Sequence, residues 1–382
     1  MVHSFPTRRS SDLRKTTGVR SIHTYRGLSP LVCISEAIAA SNPDLIIPSD
    51  DIAVQHLHDL YESAGSNDAG KAIRELIERS MGPASNFPIA ESRSDFINMA
   101  REEGIRAPLT KVISDLDQLH EWIGIHGLPV VLKANGTSSG EGVKLAQSLD
   151  EAERGFRSLQ APPMFARMAK RVIVDQDARL VRPVLSRKRS TVNAQTYVQG
   201  RDATSLIACW KGEVLAALHF EVVQKQYSGG PASVMRVISH PDMCSAAERI
   251  CRRLKLSGFC GFDFMLEDQT GHAHLIEMNS RPTQVGHLTL GPGRDLVAAL
   301  CAASTGRALQ ESATITDKTT IALFPQEWVR NPQSPYLETA YHDIPWQEPA
   351  LVRACVRSSR DWRRFFSFEK KKWIQVPEAD RP

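Results

Sequence analysis

Two apolar segments in the C-terminal half of the chain carry side chains that can bind a cation. Asp263 lies in GFDFMLE, Glu277 and Asn279 lie in LIEMN, and a polar turn at 268–271 separates the segments. This pattern predicts a β-hairpin with all three residues on one face. Buried carboxylates repel each other unless a cation separates them, and oxygen ligands suit Mg²⁺ or Mn²⁺. The alternative, two acids on a solvated sheet face, is disfavoured by the flanking apolar residues.

A second group of candidates begins where the apolar segment LPVVLKAN places Lys133 near the end of a predicted strand. A Gly- and Ser-rich loop follows, and its candidate phosphate ligands are Gly136, Ser138, Ser139, Gly140 and Gly142. Glycines allow backbone N–H groups to approach phosphate oxygens, and the lysine supplies a fixed positive charge. We interpret the segment as phosphate-binding, although a hairpin without a ligand can have the same composition.

A third group lies on the predicted strand QTYVQG and just past the glycine turn that ends it. Its members are Gln195, Thr196, Tyr197, Val198 and Asp202. Backbone groups at the end of such a strand can pair with the edge of an adenine ring, and a carboxylate past the turn can accept hydrogen bonds from ribose hydroxyls. Any hinge between two lobes can have this composition, so the segment alone is not decisive.

One arginine extends the predicted cation site. Arg281 follows Asn279 by two residues and shares its face if the strand continues, whereas Pro282 is expected to end the strand. A guanidinium group at this place can hold a carboxylate or a transferring phosphoryl group. An ion pair with Glu277 on the protein surface is the alternative.

Taken in this order, the residues resemble the ATP-grasp superfamily over about 91–300. The segments GFDFMLE and LIEMNSRP are similar to the metal-binding strands of the branch that contains carboxylate–amine ligases, biotin carboxylases and carbamoyl-phosphate synthases. The resemblance implies an α+β ATP-grasp fold in which two lobes clasp ATP. The helix–strand–helix pattern of residues 31–62 resembles part of the small α/β domain that precedes this fold.

The resemblance also implies how the nucleotide binds. Lys133 is expected to contact the α- and β-phosphates, and loop 136–142 to close over the β- and γ-phosphates. The backbone at 196–198 is expected to bind adenine beside Gln195, with Asp202 at the ribose.

Further roles are implied around the transferred phosphoryl group. The three hairpin residues are expected to bind one or two Mg²⁺ ions. Lys225 is expected to reach the γ-phosphate, and Arg281 to orient the acceptor carboxylate or acyl phosphate. Arg93 stands where the superfamily usually offers a second phosphate-binding lysine, which keeps the charge but changes the geometry.

The order of predicted elements divides the chain into four parts. They are a non-native or disordered leader at 1–21, a partial α/β pre-ATP-grasp domain at 22–88, the ATP-grasp domain at 89–310 and a C-terminal extension at 311–382. The leader has neither helical nor strand periodicity and no apolar segment typical of a secretory signal. The strand and Gly-rich turn that usually open an α/β domain are not recognised in the partial domain. The basic, aromatic tail after Leu351 predicts either a helix on a membrane surface or packing on the protein's own core.

Composition narrows the class of protein. Of 382 residues, 42% are hydrophobic and 24% charged, which is typical of a globular enzyme, and no apolar run reaches the ~20 residues of a transmembrane helix. Residues 1–26 carry six Arg and Lys residues against one Asp and so account for the net charge of +4, which gives no reason to expect nucleic-acid binding. Seven cysteines without a Cys-x-x-Cys motif predict buried thiols in a reducing cytoplasm and no zinc cluster.

The predicted function is an ATP- and Mg²⁺-dependent ligase that forms C–N bonds. It is expected to activate a small-molecule carboxylate as an acyl phosphate for attack by an amine or similar nucleophile. Two alternatives stay open: bicarbonate activation or simple phosphotransfer on the same fold, and an ATP-binding module without catalysis. The sequence also leaves open whether the chain forms a homodimer.

Overall fold

The structure is a computed structural model that describes residues 2–3, 15–26, 29–135, 142–160 and 190–356. The described strands are β1 (Val2–His3), β2 (Ile47–Pro48), β3 (Thr110–Ile113), β4 (Val130–Ala134), β5 (Val143–Ala146), β6 (Val192–Thr196), β7 (Gly200–Trp210), β8 (Glu213–Lys225), β9 (Ala232–Val237), β10 (Gly258–Glu267), β11 (Ala273–Asn279), β12 (Thr320–Ala322) and β13 (Tyr341–His342). The described helices are α1 (Pro30–Ser41), α2 (Asp51–Ser63), α3 (Asp68–Met81), α4 (Phe87–Glu91), α5 (Arg93–Glu102), α6 (Leu116–His126), α7 (Leu149–Gln160), α8 (Pro241–Leu254), α9 (Leu296–Thr305), α10 (Gln326–Arg330) and α11 (Tyr336–Thr339).

The larger sheet has seven strands in the order β11-β10-β7-β8-β9-β12-β13. Its first six strands pair antiparallel, and β13 joins β12 in parallel. Lys211 and Gly212 close the β7–β8 hairpin with φ values of 50° and 91°, the positive φ at both central positions that a type I′ turn requires.

Strand alternation gives the larger sheet two buried faces. On β10, Cys260, Phe262 and Phe264 point into a core that includes α5 and α8. On the neighbouring β7, Leu206 and Ala208 point into a second core, which includes α9. Because side chains alternate along a strand, Asp263 lies on the face opposite to its two Phe neighbours.

The smaller sheet has four antiparallel strands in the order β3-β6-β4-β5. Helices α6 and α7 cover it and bury a separate apolar core that includes Leu119, Leu132 and Phe156. Asp115 caps the start of α6 by accepting a hydrogen bond from the backbone N–H of Gln118. Two sheets, each with its own helices, therefore form two α+β units.

The N-terminal helices α1 to α3 form a fourth core, which ends along the chain at Phe87. Strand β2 between α1 and α2 is only two residues long and pairs in parallel with β1. The predicted leader 1–21 therefore differs from the structure at two points. Its residues Val2–His3 form β1, and Thr17 donates hydrogen bonds to Glu348.

Two further predictions differ from the structure. The segment QTYVQG is not one strand, because β6 ends at Thr196 and β7 begins at Gly200. The boundary at 310 also separates residues that the sheet unites, since β12 and β13 extend the larger sheet beyond β9. The tail beyond 356, on which the membrane-surface interpretation depended, lies outside the described residues.

Within the described ranges, no helix combines the length and the apolar character that crossing a membrane requires.

Candidate functional site

The predicted hairpin is present, and it brings its two acids together. Asp263 on β10 and Glu277 on β11 are direct register partners, and Asn279 follows on the same edge strand. A register shift after Asp263 interrupts the ladder at this point. The shift lets Leu275 and Met278 both enter the apolar core while Glu277 stays on the face of Asp263.

Asp263 is the focus of the polar contacts on this face. Thr204 Oγ1 donates to its Oδ1 at 2.9 Å, and Asn279 Nδ2 donates to its Oδ2 at 3.1 Å. Burial and the neighbouring charge of Glu277 raise the pKa of Asp263 to about 6, and the two hydrogen bonds and Arg281 only partly oppose this. A cation bound between the two acids would relieve the repulsion between them.

Arg93 is the cation that meets Glu277 in this structure. It begins α5, and its two terminal nitrogens donate to the two Glu277 carboxylate oxygens at 3.0 and 2.8 Å. A positive charge in the first turn of a helix interacts unfavourably with the helix dipole. The facing carboxylate of Glu277 offsets this unfavourable interaction. The predicted second phosphate-binding residue therefore also neutralises a predicted metal ligand.

Replacing Arg93 with Met should lower the unfolding free energy of the ligand-free chain by about 1–3 kcal/mol, because Glu277 loses a bidentate, largely buried partner. Mg²⁺ should recover part of the loss by taking the place of the guanidinium. Urea unfolding with and without Mg²⁺ measures both effects. Arg106→Met is the matched control, because its pair with Asp242 is more exposed, and it should cost at most about 1 kcal/mol. Equal losses in the two variants would contradict this account.

Lys133 reaches the same site from the smaller sheet. It lies on β4, the residue is only 5% exposed, and burial lowers its pKa to about 8. The charges of Glu277 and Asp263 raise the pKa of Lys133, whereas the charge of Arg93 lowers it. These groups of the larger sheet and α5 therefore lie close enough to Lys133 to influence its ionisation. A buried ammonium group between two sheets is suited to bind an anionic ligand.

Arg281 has a different partner from Glu277, the acid considered for it in the alternative interpretation. Its Nε and one terminal nitrogen donate to the two carboxylate oxygens of Asp51 at 2.6 and 3.2 Å. The ion pair with Glu277 is therefore wrong, although Arg281 still touches the site through Asn279 Oδ1 at 3.3 Å. Asp51 begins α2, so this contact joins the N-terminal helices to the predicted site.

Lys225 and Asp202 were predicted at opposite ends of the nucleotide, but they form one ion pair with Nζ 2.7 Å from Oδ2. Both line a cavity of about 430 Å³ together with the β8 end and Arg330. Arg330 lies on α10 and donates to the carboxylate of Glu327, which is fully buried. The ion pair engages one oxygen of Asp202 and one of the three N–H groups of Lys225.

Part of the predicted adenine-binding segment already forms hydrogen bonds within the smaller sheet. Gln195 is buried and donates to Thr110 Oγ1 at 2.9 Å. The backbone N–H of Thr196 donates to Leu109 O at 3.0 Å, so it is not available to an adenine ring. Tyr197 is 39% exposed and Val198 is half-buried, and both lie in the break between β6 and β7.

The Gly-rich loop is described only at its ends. Gly136, Ser138, Ser139 and Gly140 lie outside the described residues, whereas Gly142 is buried and accepts a hydrogen bond from Ala134 N–H at 2.9 Å. Strands β4 and β5 therefore form the hairpin that the loop was predicted to connect.

The donor set fits a hard divalent cation. Asp263, Glu277 and Asn279 offer oxygen atoms from neighbouring positions on two strands, and the raised pKa of Asp263 reflects the charge that a cation would offset. Arg93 holds both Glu277 oxygens in this structure, so a metal ion and the guanidinium would compete for them.

Sequence reasoning missed four residues that shape the site: Thr204, Asp51, Arg330 and Glu327. Thr204 becomes recognisable only once β7 and β10 are paired, because it then lies opposite Asp263. Asp51 lies in the helix–strand–helix segment, but its contact with Arg281 spans 230 residues and leaves no local signal. Arg330 and Glu327 belong to a segment whose sequence carried no recognisable pattern.

Comparison with known proteins relates this geometry to characterised families. A sequence model described as "Carbamoyl-phosphate synthase L chain, ATP binding domain" matches residues 92–312. The chain is 26% identical over 223 residues to the chloroplastic phosphoribosylamine–glycine ligase of Arabidopsis thaliana, which covers 52% of this chain and 37% of that protein. It is 22% identical over 218 residues to the enzyme of the same name from Neisseria meningitidis, covering 52% and 47%. The chain thus spans less than half the length of these relatives.

Solved structures confirm the predicted α+β ATP-grasp fold. Biotin carboxylase from Campylobacter jejuni, in a β,γ-ATP complex, superposes with a TM-score of 0.52 at 14% identity and covers 76% of this chain and 60% of that one. The biotin carboxylase domain of the Hydrogenobacter thermophilus 2-oxoglutarate carboxylase, with MgADP and bicarbonate, gives 0.51 at 14% identity and covers 75% and 60%.

The family match begins one residue before Arg93 and includes every candidate residue from there to Arg281. It extends over more than half of the 382 residues. The chain therefore belongs to the family of the carbamoyl-phosphate synthase L chain ATP-binding domain, in the carboxylate–amine ligase branch of the ATP-grasp superfamily.

Proposed function

We propose that this chain is an ATP-dependent ligase that activates a small-molecule carboxylate as an acyl phosphate and joins it to an amine or similar nucleophile. The observation that carries the proposal is the convergence of Lys133 from the smaller sheet with Asp263, Glu277 and Arg93. Such an arrangement of buried charge between two sheets can hold the phosphates of ATP and the cation that accompanies them.

The first step transfers a phosphoryl group. A carboxylate oxygen of the substrate attacks the γ-phosphorus, and the bond to the β-phosphate oxygen breaks to leave ADP. Lys133 and Lys225 would neutralise the phosphate oxygens, provided that Lys225 leaves Asp202. Loop 136–142 remains the predicted cover of these phosphates. In the second step the amine nitrogen attacks the acyl carbon, phosphate leaves, and the amine loses a proton.

Asp263, Glu277 and Asn279 are the residues that would hold Mg²⁺. Bound there, the ion would neutralise charge on the phosphates and orient them. Thr204 fixes the Asp263 carboxylate through one oxygen, so the other oxygen keeps a defined direction. Arg93 must release or share Glu277 when the ion binds, and it can then turn to a phosphate group.

Arg281 is proposed to hold the substrate carboxylate. The support is its bidentate pair with Asp51, because a carboxylate already occupies the guanidinium fork in the geometry that a substrate would adopt. Asp51 is half exposed, so a substrate can displace it at modest cost.

Replacing Arg281 with Lys should lower kcat/KM for the carboxylate about tenfold, because the charge stays and the bidentate geometry is lost. The affinity for ATP should stay within about twofold of the wild-type value. Steady-state kinetics with each substrate varied in turn separates the two effects. Arg253→Lys, which changes a helix-surface pair with Glu103, is the control and should change neither. A selective loss of ATP affinity in Arg281→Lys would contradict the assignment.

The class of reaction is tested by offering the purified chain Mg-ATP with a set of carboxylates and amines and measuring ADP. Glycine belongs in the first set, because the curated relatives are named as ligases of phosphoribosylamine and glycine. Bicarbonate is tested separately, and ADP formation that requires only bicarbonate would favour the carboxylating alternative. Tight Mg-ATP binding without ADP from any pair would contradict the ligase proposal.

A further inference from the structure

Three cysteines from three different elements converge inside the core behind the proposed site. Cys209 lies on β7, Cys251 on α8 and Cys260 on β10, and all three are buried. Their sulfur atoms all lie within 4.8 Å of one another, and those of Cys209 and Cys260 are 4.0 Å apart. Cysteines that only fill space in an apolar core need no common centre for their sulfur atoms.

The spacing matches that of thiolates around one metal ion. Zinc–sulfur bonds are about 2.3 Å long, so sulfurs on one ion lie about 3.8 Å apart in a tetrahedral arrangement and about 4.0 Å apart in a trigonal one. The pair Cys209 and Cys260 already has this distance. The third sulfur, from Cys251, has to move by less than about 1 Å, within the reach of a small change in its χ1 angle.

We propose that Cys209, Cys251 and Cys260 form a binding site for a thiophilic divalent metal ion of the Zn²⁺ class. Sulfur ligands select such ions over Mg²⁺, so this site is chemically separate from the oxygen ligands around Asp263. Each cysteine that ligates loses its proton, so three protons leave and one net negative charge remains on the complex. A monovalent ion with three thiolates would leave two negative charges, and burial of charge in this apolar core disfavours it.

A metal ion at this place would join the elements that position the proposed active site. Cys260 precedes Asp263 by three residues on β10 and points to the opposite face of the sheet. Cys209 lies on the strand that pairs with β10, and Cys251 is near the end of the helix that covers both. Because the folded chain gathers all three ligands, an ion that binds there stabilises the folded state.

The test is titration of the full chain with Co²⁺ under reducing conditions after removal of metals. Thiolate ligation gives an intense sulfur-to-cobalt charge-transfer band that carboxylate ligation does not. We expect this band to saturate at one ion per chain, Zn²⁺ to abolish it, and Zn²⁺ to raise the melting temperature. The variants Cys209→Ala and Cys251→Ala should lose the band.

Matched controls separate the site from the other thiols. Cys33→Ala removes a buried cysteine from α1, and Cys301→Ser removes an exposed one, so both variants should keep the band and its stoichiometry. X-ray absorption of the wild-type chain loaded with Zn²⁺ avoids any effect of the substitutions on folding, and it should show three sulfur ligands. Absence of the band in wild type, its survival in Cys251→Ala, or a zinc shell of nitrogen and oxygen alone would overturn the proposal.

Discussion

Replacing Asp263 with Asn should lower ATP-dependent turnover by on the order of 10²–10³-fold, because the substitution removes the charged ligand at the centre of the proposed metal site. The Asn side chain has nearly the same size as Asp, so packing among the apolar neighbours is kept. Its NH₂ group, however, has to face either Thr204 or Asn279, which both donate to Asp263 in the wild type. The variant should therefore need a higher Mg²⁺ concentration for half-maximal activity and have a lower kcat. ADP formation measured against Mg²⁺ concentration gives both values.

The same substitution should have the opposite effect on the stability of the metal-free chain. The folded-state pKa of Asp263 is raised to about 6, so in the window between about pH 4 and 6 the folded chain binds the proton more tightly than the unfolded chain. Stability of the wild type therefore falls as pH rises through this window, by up to about 3 kcal/mol from this group. Asp263→Asn should remove that fall, as urea unfolding at pH 4.5 and 7 would show.

The control for the effect on turnover is Glu267→Gln on the same strand. Glu267 lies at the far end of β10 and is held by Thr270, away from the proposed ligands. Glu267→Gln should change turnover by no more than about twofold, since a surface carboxylate away from the ligands contributes little to the site. Equal turnover in Asp263→Asn and wild type would contradict the metal assignment, and a pH profile unchanged by Asp263→Asn would contradict the buried charge.

Replacing Lys133 with Met should raise the ATP concentration needed for half-maximal turnover by roughly 10- to 100-fold, because one charge-assisted contact to phosphate is lost. Met keeps most of the aliphatic stem, so the smaller sheet should fold normally. Stability of the nucleotide-free chain should not fall at pH 7, because burial lowers the pKa of Lys133 and the charged form is therefore costly to bury. Nucleotide titration and urea unfolding of the same preparation measure both effects.

Lys144→Met is the matched control for this prediction. Lys144 lies on β5, next to β4 in the same sheet, but its side chain is exposed. Its substitution should leave ATP affinity and stability unchanged. If Lys144→Met and Lys133→Met weaken ATP binding equally, Lys133 acts through the general charge of the smaller sheet and not as a phosphate ligand.

The central hairpin of the site could be predicted because its information is local. A turn of four residues separates two apolar segments, so the pairing of Asp263 with Glu277 follows from short-range geometry. The strand before Lys133 was predicted for the same reason. The fold class was implied by the resemblance of these segments, in this order, to the ATP-grasp superfamily, and the family match and the solved structures confirm it.

Contacts between distant segments could not be predicted. Arg93 and Glu277 are 184 residues apart, and Arg281 and Asp51 are 230 apart, so only the packing of helices on the sheet reveals them. The cysteine cluster could not be predicted for the same reason. Its members come from three elements and lack the short spacing of common zinc motifs.

Strand β9 was missed for a different physical reason. Its residues Ala232 to Met235 are all buried, so the alternation that marks a half-exposed strand is absent. Strand β13 is too short to give a periodic signal, although it completes the larger sheet. The pairing of Lys225 with Asp202 was also not foreseen, because their roles were assigned from a ligand-bound expectation.

The most direct test of the central claim follows one oxygen atom. The chain is incubated with Mg-ATP, an amine set and carboxylates that carry ¹⁸O in the carboxyl group, and the released phosphate is examined by mass spectrometry. If the carboxylate attacks the γ-phosphate, one ¹⁸O atom moves into phosphate, and Asp263→Asn slows this transfer by the same factor, on the order of 10²–10³, as turnover. ADP accompanied by unlabelled phosphate alone, in the presence of a carboxylate that stimulates its formation, would contradict the account.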